Sequence, residues 1–389
     1  MTDDVGGSSS LPLVSCPICH REVPEGRFCG ACGANLDWKP GGSAGRHHAF
    51  AAEPGESLIH LSVISTLFPH LPHRRAAPFQ IALLITGFLL LGFGIFRLTG
   101  PAIAVASVAV PLLYLLYLYE VEVYESEPVL VIGATLVTGI VLGAIWSYFT
   151  GAYLSQTLVQ DVTLGPAPGP DLVAGLLFPL VAQALMLLGP VAIFFAMRRY
   201  DEALDGFTFG AMSALGFTLA TTAVELWPLL QLGLVSSDPA SQDMLVAVER
   251  GLIIPFLNAS LTGLVAGALW LRRGRVRSLA VHGWTTSIFV AVVLAVVTRI
   301  GLGLLNILVL STTVVAVVYF AVTIGVLLAV RIAIHHMLLA EAVDETVGPL
   351  TPCVHCHHLV PRMAFCPQCG IATRATPKSG AGRLARAFR

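Results

Sequence analysis

A series of long apolar runs fills the middle of this chain and constrains its fold more than any other feature. Hydrophobic residues make up 56% of the 389 residues and charged residues only 12%, about half of the charged share usual in globular proteins. A run of about 20 apolar residues can cross a bilayer as a helix. The sequence therefore predicts an all-α polytopic membrane protein with about eight transmembrane helices. The predicted spans are residues 79–98, 101–119, 128–150, 172–197, 206–230, 251–271, 278–298 and 302–330.

Basic residues between these runs predict the orientation of the chain, since an even number of spans returns both ends to one side. Arginines cluster in residues 74–75, 198–199 and 272–277, and Arg331 follows the last predicted span. Loops on the opposite side hold only Arg97, Arg250 and Arg299. By the positive-inside rule, both polar ends are expected in the cytoplasm.

All eight cysteines belong to two quartets, one near each end of the chain. Each quartet has the pattern C-x2-C-x9-C-x2-C, and an offset of 337 residues superimposes them together with neighbouring positions such as Phe28/Phe365 and Gly33/Gly370. The sequence therefore contains an internal repeat of a short module. The cysteines are Cys16, Cys19, Cys29, Cys32, Cys353, Cys356, Cys366 and Cys369.

Four thiolates in two C-x-x-C turns form a closed tetrahedral shell that suits one structural zinc ion. A module of about 20 residues has little core of its own, so metal binding would supply much of its folding free energy. Disulfides would require an oxidising compartment, and redox or iron sites are further alternatives. The expected cofactors are two structural zinc ions, and the nearby His20, His355, His357 and His358 are expected to be solvated loop residues.

The polar ends and apolar middle predict five segments. They are an N-terminal zinc ribbon at 1–38, a linker at 39–76, a membrane domain at 77–334, a C-terminal zinc ribbon at 335–373 and a basic, disordered tail at 374–389. Within the linker, Ser57–Arg75 suits either a short helix on the membrane surface or an irregular connection.

Polar side chains inside the predicted spans are costly and therefore need a partner or a role. Gln183 and Asn258 suit interhelical hydrogen bonds, with ligand binding as the alternative. Glu225 is the carboxylate placed well inside a predicted span. Pairs of small residues predict close helix approach; these are Gly139/Gly143, Gly206/Gly210 and Gly263/Gly267.

Three stretches of the middle resemble the PrsW family of multispan membrane proteases. Tyr124–Pro128 (YESEP) is similar to the family's acidic loop, and Asp205–Gly210 (DGFTFG) with Ala214–Phe217 (ALGF) is similar to its DG and GF motifs. Arg250, followed by Thr262 and Gly267, resembles a third family helix. The likeness covers roughly residues 105–285 and implies the family's membrane fold.

The same resemblance implies where catalytic groups should lie, and this sequence departs from the family at each place. The family's Glu-Glu-x-x-Lys motif falls on Ala182, Gln183 and Met186, and its Glu-Asn pair falls on Thr221 and Thr222. Its histidine falls on Asn258. Water activation requires a carboxylate or a metal-bound hydroxide, which amides and hydroxyls do not supply at neutral pH.

Three functional hypotheses follow. The leading one is a non-catalytic PrsW-like protein, a pseudoprotease that acts as a membrane scaffold or binding module; Gln183, Glu225 and Asn258 are candidates for intramembrane binding. The alternative is an intramembrane (metallo)protease with a rewired site, which would bring Glu225, His282, Gln183 and Asn258 into one cavity. A transporter is the third hypothesis.

Expected partners are membrane lipid and proteins bound through the ribbons. The net charge of −1 gives no reason to expect nucleic acid. The family resemblance implies a bacterial protein of the cytoplasmic membrane.

Overall fold

The computed structural model describes residues 12–37, 50–59, 63–67, 77–96, 98–120, 129–164, 173–232, 245, 248–273, 286–308, 311–342 and 346–376. It contains nine α-helices within these ranges. They are α1 (Val63–Leu67), α2 (Ala77–Ile95), α3 (Thr99–Glu120), α4 (Val129–Leu164), α5 (Phe178–Ala196), α6 (Ala203–Leu232), α7 (Ile254–Leu271), α8 (Ile288–Ile307) and α9 (Thr312–Glu341). A π-helical turn leads directly into α5 (Val173–Leu177) and another into α7 (Glu249–Ile253).

Six helical segments of the described chain are long and apolar enough to cross a membrane. They are Leu130–Ser155, Val173–Ala196, Ala203–Val224, Glu249–Leu271, Ile288–Ile307 and Thr313–Glu341. The predicted membrane-helical fold is therefore confirmed, but the predicted count of about eight spans is not. α2 matches the first predicted span and has a shorter apolar stretch at Leu84–Ile95.

The last two spans lie closer to the C-terminus than the predicted runs 278–298 and 302–330. α8 begins after Ser287, α9 begins after Ser311, and the Ser311 hydroxyl accepts a hydrogen bond from the backbone N–H of Val314. Arg299 and Arg331, which the sequence placed in loops, therefore lie inside helices. Both positions are compatible with a helix because each guanidinium donates to groups on neighbouring segments. The predicted domain boundary at residue 335 falls inside α9.

α6 and α7 form the centre of the bundle. In each of these two spans, 78% of the most apolar stretch of 18 residues is buried inside the protein. In the other four spans the buried share is 28–33%. The predicted close approach at the glycine pairs is confirmed by how little space a side chain would have. A Cβ on Gly139 would lie 2.1 Å from the carbonyl oxygen of Ser213, and one on Gly210 would lie 2.7 Å from that of Thr262.

Each cysteine quartet lies on a small two-stranded antiparallel hairpin. The first pairs β1 (Leu13–Ser15) with β2 (Glu22–Pro24), and the second pairs β3 (Leu350–Pro352) with β4 (Leu359–Pro361). The register also repeats, because Val14 opposes Val23 and Thr351 opposes Val360. The internal repeat of the sequence is thus a repeat of structure.

A strap formed by residues 50–59 and 63–67 joins the ribbons to the bundle by packing against α9. Arg331 of α9 lies at the centre of this contact, and its side chain is fully buried. The Arg331 Nε donates to the Leu58 carbonyl at 3.0 Å, and Nη2 donates to the Glu56 carboxylate at 2.8 Å and to the Ser57 carbonyl at 3.0 Å. The Phe50 ring lies 4.0 Å below the guanidinium carbon. The part of Ser57–Arg75 that is described therefore contains one short helix, α1, and the rest of that segment lies outside the described residues.

Candidate metal centres and intramembrane polar cluster

The four sulfur atoms of each quartet lie within 4.8 Å of one another. In the first quartet, Cys16 and Cys32 are 3.8 Å apart at Sγ, and Cys19 and Cys29 are 3.7 Å apart. The matching distances in the second quartet are 3.9 Å and 3.8 Å. A tetrahedral zinc ion with Zn–S bonds of about 2.3 Å has sulfur atoms about 3.8 Å apart, whereas a disulfide needs about 2.05 Å. The quartets therefore fit a four-thiolate metal site.

Backbone turns hold these sulfurs in place. Each C-x-x-C segment closes with a bond from the N–H of the following residue to the carbonyl of its first cysteine, as from Gly33 to Cys29 at 2.8 Å. That following residue has positive φ in all four turns: 56° and 61° at His20 and His357, and 72° and 80° at Gly33 and Gly370. Residues without glycine's freedom rarely adopt this conformation. His20 and His357 are exposed and serve the turn rather than the metal shell.

The thiols of each quartet are electrostatically unequal. A hydrogen bond from the Cys32 thiol lowers the pKa of Cys29 to about 5. In the second quartet, hydrogen bonds from Cys366 and Cys369 lower the pKa of Cys353, whereas the bond to Cys353 raises the pKa of Cys366 to about 12. Each quartet therefore stabilises one thiolate, and binding of a metal would displace protons from the other thiols.

The two ribbons pack directly on each other through equivalent residues. The backbone N–H of Phe28 donates to the carbonyl of Pro367 at 2.8 Å, and that of Phe365 donates to the carbonyl of Gly30 at 2.9 Å. The offset of 337 converts one bond into the other. The contact is therefore a pseudo-two-fold interface inside one chain, of the isologous kind seen in symmetric dimers.

Two glycines make this pairing possible. A Cβ on Gly33 would lie 2.9 Å from Cδ1 of Phe365, and one on Gly370 would lie 2.8 Å from Cδ1 of Phe28. Each glycine thus accommodates an aromatic ring of the other ribbon. The repeat alignment contained these four residues, but the alignment alone did not show that the rings cross between the repeats.

The paired ribbons contact the N-terminal end of α6 and the C-terminal end of α9. The Ala372 N–H donates to the carbonyl of Ala51 at 3.0 Å, and the Ala51 N–H donates to Nδ1 of His335 in α9 at 3.1 Å. Glu341, the last residue of α9, pairs with Arg374 at 3.4 Å and accepts from the Ala203 N–H at 2.6 Å. Strap, ribbons and bundle therefore form one continuous set of contacts.

A separate polar cluster lies inside the bundle, where α5, α6, α7 and α8 meet. Gln183 Nε2 donates to Oγ1 of Thr262 at 3.1 Å, and Asn258 Nδ2 donates to Oγ1 of Thr218 at 2.7 Å. The interhelical hydrogen bonding expected of Gln183 and Asn258 is thereby confirmed. Both side chains are buried, and Oδ1 of Asn258 has no hydrogen-bond partner among the described residues.

Arg299 of α8 joins this cluster. Its Nε and Nη2 both donate to Oε1 of Gln183, at 2.9 Å and 2.8 Å. A sequence-based assignment missed Arg299 because a charge near the end of an apolar run is typical of a loop. The predicted run 278–298 ended one residue too early to include it.

The remaining sequence-predicted positions are distributed around the cluster. Ala182 and Met186 pack with Phe217 at the interface of α5 and α6. Thr221 donates to the carbonyl of Thr218 at 3.0 Å, and Thr222 is buried. Glu225 lies on α6 with its side chain outside the described residues, and His282 lies outside them altogether.

The groups of the intramembrane cluster do not fit a metal ion. Its described side chains offer amides, hydroxyls and the Met186 thioether, whereas zinc prefers thiolate, imidazole and carboxylate. The neighbouring guanidinium of Arg299 would also repel a cation. Among the described residues, groupings of three or more His, Cys, Asp or Glu that could hold a metal occur at the two cysteine quartets.

The fold and these sites define an integral membrane protein of several apolar helices with two four-cysteine clusters able to bind metal. The family model for the PrsW intramembrane metalloproteases matches residues 127–340, which is more than half of the chain. The chain belongs to the PrsW family. Compared with the range 105–285 suggested by the sequence motifs, the match begins later and extends further toward the C-terminus, where it includes α8 and nearly all of α9. Searches of curated proteins and of solved structures found no match.

Proposed function

We propose that this protein is a PrsW-family membrane protein without peptidase activity, which serves as a scaffold or binding module. The proposal is carried by the residues found at the positions where the family resemblance places catalytic groups. Gln183 and Asn258 stand where the family has an acid and a histidine, and their amides bond to Thr262 and Thr218 between helices. These polar groups stabilise helix packing.

The chemistry of the site supports the same conclusion. Hydrolysis of a peptide needs a group that removes a proton from water, or a metal that does so. Ala182, Met186, Thr221 and Thr222 supply neither at neutral pH. Arg299 places a positive charge beside Gln183, so that the site favours an anion over a metal ion.

We further propose that each cysteine quartet binds one structural zinc ion in the cytoplasm of a bacterium. The sulfur spacing supports zinc, and direct contact between the ribbons supports their location on the same side of the membrane. The proposed domains are those predicted from the sequence: ribbons at 1–38 and 335–373, a linker at 39–76, a membrane domain at 77–334 and a tail at 374–389. Helix α9 continues from the membrane domain across the boundary at 335 to Glu341.

Protein partners are proposed at the outer faces of the paired ribbons. Leu13 and Leu359 are each about 60% exposed, at 59% and 62%. A cavity of about 460 Å³ beside the second ribbon is lined by apolar side chains such as Met363 and Ile371, together with Arg362. Apolar pockets with a few polar groups are the usual form of a binding site.

A second candidate function, a protease with a rewired site, is favoured by the family match itself. It requires a new acid or metal ligand near Gln183 and Asn258. Glu225 and His282 are the residues proposed for that role. Metal content and peptide cleavage distinguish the two candidates.

The experiment is a count of zinc per chain on purified full-length protein, repeated for Cys16→Ser and Cys353→Ser, with a parallel assay of cleavage. For the cleavage assay, proteoliposomes containing a mixture of transmembrane peptides would be analysed by mass spectrometry. The expected result is two zinc ions, one lost with each substitution, and no cleavage. A third zinc that survives both substitutions, or cleavage that Glu225→Gln abolishes, would refute the proposed inactivity. Absence of zinc would refute the proposal that the cysteine quartets bind zinc.

A further inference from the structure

Arg299 is an intramembrane cation that uses two of its five N–H donors in hydrogen bonds to the residues that the structure describes. It is the twelfth residue of the twenty in α8, so its Cα lies about 17 Å from the start of a helix about 30 Å long. Its side chain is half-buried. A charged residue at such a depth is by default a candidate functional site.

Within the described part of the chain, the contacts of Arg299 leave one edge of the guanidinium available. Nε and Nη2 converge on the single amide oxygen of Gln183. A guanidinium has five N–H donors, so one N–H on Nη2 and both on Nη1 have no hydrogen-bond partner among the described residues. The free N–H of Nη2 and one N–H of Nη1 point along the same edge, which is a fork that binds both oxygens of a carboxylate.

The described acceptor of this cation is neutral, so its charge is not compensated by Gln183. Among the residues that the structure describes, no carboxylate pairs with Arg299.

A second polar group in the same cluster is also incompletely satisfied. Asn258 is 5% exposed, and its Oδ1 has no hydrogen-bond partner among the described residues. Asn258 is one helical turn from Thr262, to which Gln183 donates. A buried carbonyl oxygen of this kind accepts a hydrogen bond from a hydroxyl group, such as that of a carboxylic acid that enters in its neutral form.

We propose that this cluster binds the carboxyl group of a long-chain fatty acid, held by the free edge of Arg299. The inference deepens the proposed binding role and rests on it. Phospholipid phosphates lie at the membrane surface, about 15 Å from the bilayer centre, and do not reach this depth. A fatty acid can enter as the neutral acid, with its chain among lipid tails, and then ionise beside the guanidinium. Val292, two turns before Arg299 on the same face of α8, is 41% exposed and gives its chain an apolar surface.

The test uses full-length protein in phosphatidylcholine vesicles and a fatty acid that carries a photoreactive diazirine. Saturable labelling of the wild-type protein is expected, and Arg299→Gln should weaken it at least about tenfold, since charge-assisted bidentate bonds are strong. The matching fatty alcohol should label weakly. Arg272→Gln, which removes an exposed arginine just after α7, is the matched control and should bind like wild type.

A second variant tests the site without removing the arginine. Gln183→Glu keeps the shape of the side chain but supplies an internal carboxylate to Arg299, so labelling should fall while the thermal stability is kept or raised. Equal labelling of the wild type and Arg299→Gln, or equal labelling by acid and alcohol, would overturn the proposal. Labelling competed only by a transmembrane peptide with a free terminal carboxylate would also overturn it in favour of a peptide. These binding results are independent of cleavage and zinc content, by which the proposed function itself is judged.

Discussion

Replacement of Arg331 by methionine should release the strap from α9 while leaving the helices of the bundle in place. Methionine retains most of the aliphatic length but removes every hydrogen bond that the guanidinium makes. The carbonyls of Ser57 and Leu58 would lose this donor, and the Glu56 carboxylate would lose its cation but keep the bond from the Ser65 hydroxyl. The aromatic face of Phe50 would lose its cation.

The size of the expected destabilisation follows from the burial of the Arg331–Glu56 ion pair. Arg331 is fully buried, whereas the Glu56 side chain is 19% exposed. Breaking a buried ion pair typically costs about 3–5 kcal/mol, and the partial exposure of Glu56 points to the lower end. A loss of about 3 kcal/mol changes the equilibrium between docked and released strap by roughly a hundredfold or more. Arg27→Met is the matched control, because its pair with Asp37 is 62% and 61% exposed and should contribute about 0–1 kcal/mol.

Hydrogen exchange measured by mass spectrometry on detergent-purified protein would report the release. Backbone amides of residues 50–59 and 63–67 should lose protection by about two orders of magnitude in Arg331→Met, while those of α6 and α7 remain protected. Glu56→Gln keeps an acceptor for Arg331 and should give a smaller loss. Strap protection within about threefold of wild type in Arg331→Met would show that the ion pair does not hold the strap.

Three further predictions concern the ribbons and the bundle. Gly33→Ala and Gly370→Ala should each destabilise the zinc-bound ribbon pair by about 1–3 kcal/mol, since each adds an overpacked methyl group at positive φ. The two losses should be similar by symmetry, and unequal losses in thermal unfolding would contradict the pseudo-two-fold contact. Zinc affinity measured by chelator competition should fall as the pH is lowered from about 7 to 5, because the cysteine ligands must be deprotonated to bind zinc. The pKa of Cys366, for example, is raised to about 12 in the metal-free ribbon. A pH-independent affinity would count against thiolate ligation. Asn258→Leu should change the free energy of unfolding by less than about 1 kcal/mol. The substitution loses one hydrogen bond to Thr218 but also removes a buried amide oxygen that has no described partner. A loss above about 3 kcal/mol would show that the amide has a further partner.

Local patterns accounted for much of what the sequence predicted correctly. Cysteine spacing is a local property, so the two metal-capable quartets could be found without a fold. Hydrophobic runs likewise indicated membrane helices, and the small-residue pairs indicated close packing, as at Gly139 and Gly210. The position of Arg299 was misassigned because hydropathy counts a charge as a boundary, whereas its bond to Gln183 depends on a helix more than one hundred residues away.

The sequence by itself thus determined the chemistry of the parts, which are apolar helices, paired thiol turns and the amides of Gln183 and Asn258 within apolar runs. Only the tertiary structure decided which parts meet. It brought Phe28 onto Gly370 and Phe365 onto Gly33, buried Arg331 under the strap, and placed Arg299 beside Gln183. The physical reason is that each of these contacts joins residues far apart in the chain, and its free energy depends on burial and on hydrogen-bond geometry that the folded chain creates.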